Sequence, residues 1–288
     1  MIAGVTSGYA VKRRRERDRI QREFLVSQNT FQTTLLKTQG QLVREMEKEL
    51  QSAHDMQMGL MPTEHPRIEG FDITGRCIPA NHVGGDYFQY FERDNKLFLS
   101  LADVTGDAME AAIPVVMFSG ILENQMEGDK DLEELFGALN RSLRRIFADS
   151  RTFICFAMGE LGLSTRTLRV SNAGCPYPYH YRASTGELVE VSVSAGPLGV
   201  RPDMTCQVVD IQLVSGDWIV FCSDGIIEAM NASGELFGYD RTEEMIRKAC
   251  GEGLFAERTI DRILGEVNSF RGDASQSDDM TLVVMRVL

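Results

Sequence analysis

Four short acidic segments, far apart along the chain, carry the residues best suited to chemistry. They are Gly84-Gly85-Asp86, Asp103 in LADVTGD, Asp224 in FCSDG, and Asp278-Asp279 in SDDMT. Each lies at the end of an apolar run or in a glycine-containing turn. Carboxylates so placed suit a hard divalent cation. Mg2+ and Mn2+ prefer oxygen ligands and retain waters, so one or two carboxylates per ion suffice. Glycine lets the backbone turn sharply enough for a carbonyl to reach the ion. One such cluster alone reads as a turn, because Asp-Gly is foremost a turn signal. Four in one acidic chain without a Cys/His zinc spacing favour a metal site over four ordinary turns.

The chain has 288 residues, 43% hydrophobic and 25% charged, values that exclude a low-complexity or disordered protein. Its net charge of -12 disfavours nonspecific nucleic-acid binding, which depends on Lys and Arg at phosphates. The charge is uneven. Residues 12–19 (KRRRERDR) carry +4, and the chain from Ile20 onward carries -16. An acidic body that handles phosphate needs positive charge from elsewhere, and bound cations are the obvious source. Six cysteines are scattered without a C-x-x-C pair, as expected of reduced thiols in a cytoplasmic protein. No apolar stretch reaches the ~20 residues of a membrane span, so membrane contact is expected only through a segment upstream of this chain. His54, His65, His82 and His180 form no ligand set by spacing.

The elements that must position these carboxylates fall into three parts. Residues 1–11 read as a flexible N-terminus. Residues 12–61 read as one long helix, with apolar positions Ile20, Phe31, Leu42 and Ala53 and also Phe24, Leu35 and Met46 repeating every 11 residues. Eleven residues over three turns give a nearly straight seam, which predicts pairing with a second copy, a homodimer. Pro62 and Pro66 end the helix. Residues 62–288 read as one α+β domain. Strand-type runs are expected at 71–77, 96–104, 152–161, 167–173, 206–213, 217–224 and 280–287. Helical patterns come in pairs, at 108–125 with 132–147 and at 242–249 with 255–270. Grouped strands with paired helices between them argue against regular β-α alternation.

The ordered series GGDYF, ADVTGDAMEAA, SNAGCPYPY, SAGPLG, FCSDGIIEA and DDMTLVV resembles the metal-dependent (PPM-type) serine/threonine protein phosphatases, in their sporulation-stage-II-E-like, sigma-factor-regulating branch. The lead-in EKELQSAHDMQMGLMP resembles the helix before that domain, so the likeness covers roughly residues 45–288. It implies a four-layer αββα sandwich and two Mn2+ or Mg2+ ions. Asp103 matches the carboxylate bridging the ions, and the Val104 carbonyl would bind one of them. Asp86 matches a carboxylate holding water in the second metal's shell. Asp224 matches a direct ligand of the first metal. Asp278 matches another, with Asp279 as its neighbour and an assignment open by one position. The implied reaction is in-line hydrolysis of phosphoserine or phosphothreonine in a protein partner, an anti-anti-sigma-type regulator, by an activated water.

Two departures stand out. The usual small-residue turn after the bridging carboxylate becomes Gly106-Asp107-Ala108, where Asp107 reads as a helix cap or an added metal ligand. The frequent Asn-Ala-Gly-His becomes Asn172-Ala173-Gly174-Cys175, whose thiol reads as inert rather than redox-sensitive. Met56, Met58 and Met61 crowd the junction and read as packing there. Two alternatives compete. Gly84-Gly85-Asp86-Tyr87-Phe88 looks like the GGDEF signature of diguanylate cyclases, but Tyr87 replaces its acidic residue. A catalytically weak or inactive binding module of the same fold is the other.

Overall fold

The computed structural model describes residues 3–106, 109–148, 152–193 and 195–288, with side chains given from residue 12 onward except Asp18 and Ile20. Asp107 and the seam position Ile20 thus lie outside the described residues. Two compact units result, Met1–Ser52 and Ala53–Leu288.

Helix α1 (Ala3–Met58) supplies all the described residues of the first unit. Its helical backbone begins at Ala3, within the segment 1–11 expected to precede the helix. That stretch holds no proline, so nothing in it stops the helix. Phe24, Phe31, Leu35, Leu42 and Met46 are all exposed along α1. The helix ends in tight turns, with Leu60 N–H donating to Gln57 O at 3.0 Å and Met61 N–H to Met58 O at 3.2 Å, ahead of Pro62. Among the described residues no helix is long and apolar enough to cross a membrane.

The second unit begins with β1 (Phe71–Ile78), β2 (Asp86–Arg93) and β3 (Lys96–Val104), then α2 (Met109–Met126) and α3 (Leu132–Ile146). Strands β4 (Ile154–Gly162), β5 (Thr167–Ala173), β6 (Tyr179–Arg182), β7 (Glu187–Glu190), β8 (Val209–Gln212) and β9 (Trp218–Cys222) follow. The short α4 (Asp224–Ile227), then α5 (Gly238–Gly251), α6 (Ala256–Arg271) and β10 (Met280–Val287) complete it. One five-stranded sheet has the order β1-β10-β9-β6-β7 and the other β2-β3-β4-β5-β8, with every pairing antiparallel. Helices α2 and α3 pack together with α2 on β2 and β3, while α6 lies on β1 and β10 beside α5. The expected αββα layering is therefore present.

The continuous apolar runs follow from this layering, because a strand buried on both faces has no polar side. Along β9, Ile219 and Phe221 enter the core shared with the other sheet, while Trp218, Val220 and Cys222 enter the core under α5 and α6. Along β10, Val283, Met285 and Val287 face the first core, and Leu282 and Val284 the second. Helix α3 starts at a capping box in which Asp131 accepts from Glu134 N–H and Glu134 reaches back.

Strands β2, β6 and β7 were absent from the expected set. The β2–β3 hairpin turns on Asp94 (φ 49°) and Asn95 (φ 63°), both left-handed, as a two-residue type I′ turn requires. That turn fixes the register of the pair. Phe156 is fully buried, with ring centroids 5.2 Å from Phe118 and 5.0 Å from Phe136. Phe156→Ala should cost about 3–5 kcal/mol of stability, read by urea unfolding.

Candidate active site

The hairpin register sets Asp86 opposite Asp103. Directly opposed residues hold their Cβ atoms about 4.5–5.5 Å apart, so two carboxyl groups are forced together by backbone pairing alone. Asp224 opens α4 just past the end of β9, and Asp278-Asp279 immediately precede the neighbouring β10. The two sheets meet at these ends through Asp279. Its Oδ2 accepts from Gly85 N–H at 2.7 Å and Asp86 N–H at 3.2 Å, and its Oδ1 from Ala80 N–H at 2.8 Å. Ser223 Oγ donates to Asp279 O at 3.1 Å and accepts from Thr281 N–H at 2.9 Å, closing the β9–β10 end.

Glycine makes this approach possible. A Cβ at Gly84 would stand 1.8 Å from Asp279 Oδ2, one at Gly225 2.0 Å from Asp279 O, and one at Gly85 2.5 Å from Val104 O. The Val104 carbonyl thus lies over the bare Cα of Gly85, and Val104 N–H returns to Gly85 O at 3.0 Å.

Electrostatically the site is a knot of like charges. Burial pushes the Asp103 carboxyl up to about 7, helped by Asp224, Asp278, Asp279 and Glu228. Asp86 lies well above the usual carboxylate range through burial and then through Asp103 and Asp279, with the Thr281 and Ser223 hydroxyls opposing. Asp224 is raised by burial and by Glu228. Asp86 is 3% exposed, and its Oδ2 has no hydrogen-bond partner among the described residues. Among those residues no three His, Cys, Asp or Glu side chains stand as a ready-made metal cage. The donor set still fits a hard cation: it is all oxygen, mutually repelling, and includes an orphaned buried carboxylate oxygen. Burial raises the thiols of Cys155 and Cys222 to about 12, and that of Cys175 upward as well, so these sulfurs are poor nucleophiles.

The structure therefore gathers Asp86, Asp103, Val104, Asp224 and Asp278, and it engages both Asp279 oxygens with backbone amides. Three contributors were missed from sequence. Glu228 stands one helical turn after Asp224, a spacing visible within FCSDGIIEA. Ser223 ties the strand ends. Gln57, buried at the end of α1, bonds the backbone of Gly84. Beside Asp224 opens a cleft of about 680 Å3, whose lining includes Asn172, Cys175, Tyr177, Glu228, Tyr239 and Glu243.

The sequence model for stage II sporulation protein E (SpoIIE) matches residues 93–288. The chain belongs to the SpoIIE family of PPM-type serine/threonine phosphatases. Phosphoserine phosphatase RsbU of Bacillus subtilis is 24% identical to this SpoIIE-family chain over 243 residues, covering 84% of the chain and 71% of RsbU. Protein IcfG of Synechocystis is 22% identical over 269 residues, and the match spans 41% of IcfG. In fold, the chain is similar to the SiaA PP2C domain of Pseudomonas aeruginosa, with a TM-score of 0.73, 18% identity, and coverage of 84% of this chain and 97% of that one. The PP2C phosphatase domain of Bacillus subtilis SpoIIE with a fragment of its regulatory domain gives 0.63 at 20% identity, over 77% and 64% of the two chains. RsbX, solved in complex with magnesium, gives 0.59 at 16% identity, over 78% and 99%.

The raised Asp103 has a thermodynamic consequence. An unfolded carboxyl ionises near pH ~3.9, the folded one near 7. Between these values the folded state keeps the proton and the unfolded state releases it, so stability falls as pH rises. For protein treated with chelator, urea unfolding should show lower stability at pH 7.5 than at pH 5, and Asp103→Asn should flatten that slope.

Proposed function

We propose that this chain hydrolyses phosphoserine or phosphothreonine in a protein partner, with two Mn2+ or Mg2+ ions held by Asp86, Asp103, the Val104 carbonyl, Asp224 and Asp278. The observation that carries this reading is the register-locked Asp86–Asp103 pair, facing carboxylates from the other sheet. When bound, the ions would lower the pKa of a water and neutralise phosphoryl oxygens. The chain's own groups do the rest. Asp103 would release its proton to hold a cation, whose charge offsets the burial and the neighbouring carboxylates that raise its pKa. Asp86, whose buried Oδ2 has no hydrogen-bond partner among the described residues, would hold the attacking water. Asp279, the neighbour of Asp278 in the motif, braces residues 80–86 through three backbone N–H groups on its oxygens, which favours Asp278 as the ligand of the pair.

The cleft beside Asp224 receives the phosphorylated segment, and Tyr177 and Tyr239 give it apolar walls. The name phosphoserine phosphatase borne by RsbU supports the substrate class, and the magnesium complex of RsbX supports the cation. The partner we infer is an anti-anti-sigma-type regulator in the bacterial cytoplasm. Phosphate release from such a phosphoprotein should require Mn2+ or Mg2+. Asp103→Asn should lower kcat/KM by more than the about 10–100-fold typical of outer-shell partners of a metal. Unchanged turnover in that variant would remove Asp103 from the site.

A second copy of the chain is the proposed partner of α1. Five of its six described seam residues are exposed large hydrophobics at a coiled-coil period, and the sixth, Ala53, is half-buried. Phe31→Glu combined with Leu42→Glu should shift sedimentation from dimer to monomer and leave the melting of the phosphatase unit unchanged.

A further inference from the structure

We propose that the turn 229–238 is a docking element for the protein partner, taking an apolar side chain that flanks the phosphorylated residue. The inference rests on the phosphatase reading given above and names what that site selects. Glu228 and Tyr239, the residues on either side of the turn, both line the cleft beside Asp224. A segment lying in the cleft therefore runs past the turn.

The turn is braced from beneath and displays apolar side chains to solvent. Met230 and Leu236 pair as an isolated antiparallel bridge, so their side chains stand on one face. Met230 is 40% exposed and Leu236 47%. Single exposed apolar residues are ordinary on a protein surface. This pair differs in being adjacent, beside a cleft, and fixed. Asn231 Oδ1 accepts from Ser233 N–H and Glu235 N–H, both at 3.0 Å, and Asn231 N–H donates to Glu235 O at 3.0 Å. Arg241 donates to Leu236 O at 2.9 Å and Phe237 O at 3.2 Å and pairs with Glu235. Phe237 is buried with its ring centroid 5.2 Å from that of Phe270, and its N–H donates to Ala229 O at 2.8 Å. A loop ordered in advance loses little entropy when a partner covers it.

Charge narrows the partner further. The cleft lining includes Glu190, Asp224, Glu228 and Glu243 and no Lys, Arg or His among the described residues. Burial, and then repulsion from Glu243, raises the Glu190 carboxyl. A cationic side chain beside the phosphate relieves that repulsion. The segment this surface fits thus carries an aliphatic side chain and a Lys or Arg next to its phosphoserine.

The test uses the full chain at saturating Mn2+ with three synthetic phosphoserine peptides. The first has leucine and lysine beside the phosphoserine, the second replaces that leucine by glycine, and the third replaces that lysine by glutamate. KM should be about tenfold lower for the first peptide than for the other two. Met230→Ser combined with Leu236→Ser should raise KM for the first peptide to that of the glycine peptide, with kcat held. Glu243→Gln should shrink the lysine preference and keep the leucine preference. Val214→Ser, at an exposed apolar residue outside the cleft lining, should leave both preferences as they are. Equal KM for all three peptides, or a folded double variant that keeps the leucine preference, overturns the docking role and leaves the phosphatase reading standing. A parent chain that releases phosphate from none of the peptides, nor from p-nitrophenyl phosphate, overturns both.

Discussion

Mutual repulsion among buried carboxyl groups is the constraint around which this domain is built. Two unit charges about 4 Å apart near a protein surface repel by roughly 4 kcal/mol. Here Asp86 and Asp103 face one another, and Asp224, Asp278 and Asp279 approach from a second sheet. Left to local preference, such groups would separate into water. They stay because each is carried on backbone that has no alternative position. The left-handed pair Asp94-Asn95 sets the hairpin register, and Asp279 fastens the 80–86 segment through three N–H groups.

That fastening works because the strands behind it cannot move independently. β9 and β10 bury side chains in two cores at once, so shifting either strand would open both. The acidic edge is the end of these strands, where the backbone leaves the sheet and carbonyls and carboxylates become available. Glycine at 84, 85 and 225 is required by contact rather than by flexibility, since each Cβ would collide with an atom of the site itself.

Much of this was legible in the residues. Runs such as KLFLSLADV and MTLVVMRV became β3 and β10 with the expected bounds, because an apolar run buried on two faces is written plainly in sequence. The acidic clusters pointed to a common site because oxygen donors beside glycines serve few other purposes together. β2 escaped because it starts inside the GGD motif and mixes aromatic with polar residues. Strands β6 and β7 have only four residues each, too short to display a period. The adjacent aspartates 278 and 279 could not be told apart in sequence. Hydrogen bonding of Asp279 to backbone 80–86, nearly 200 residues away, is what distinguishes the two in the fold. Gln57 looked like any solvated glutamine in a polar helix, because its partner is a main-chain group that no side-chain pattern announces.

The carboxylates are locked into the twin-sheet scaffold, yet the rim of the adjoining cleft is drawn largely from connecting segments. Tyr177 follows β5, Glu228 follows α4, and Glu243 lies on α5. The rim can therefore change side chain by side chain while the paired strands beneath hold the carboxylates in unaltered geometry.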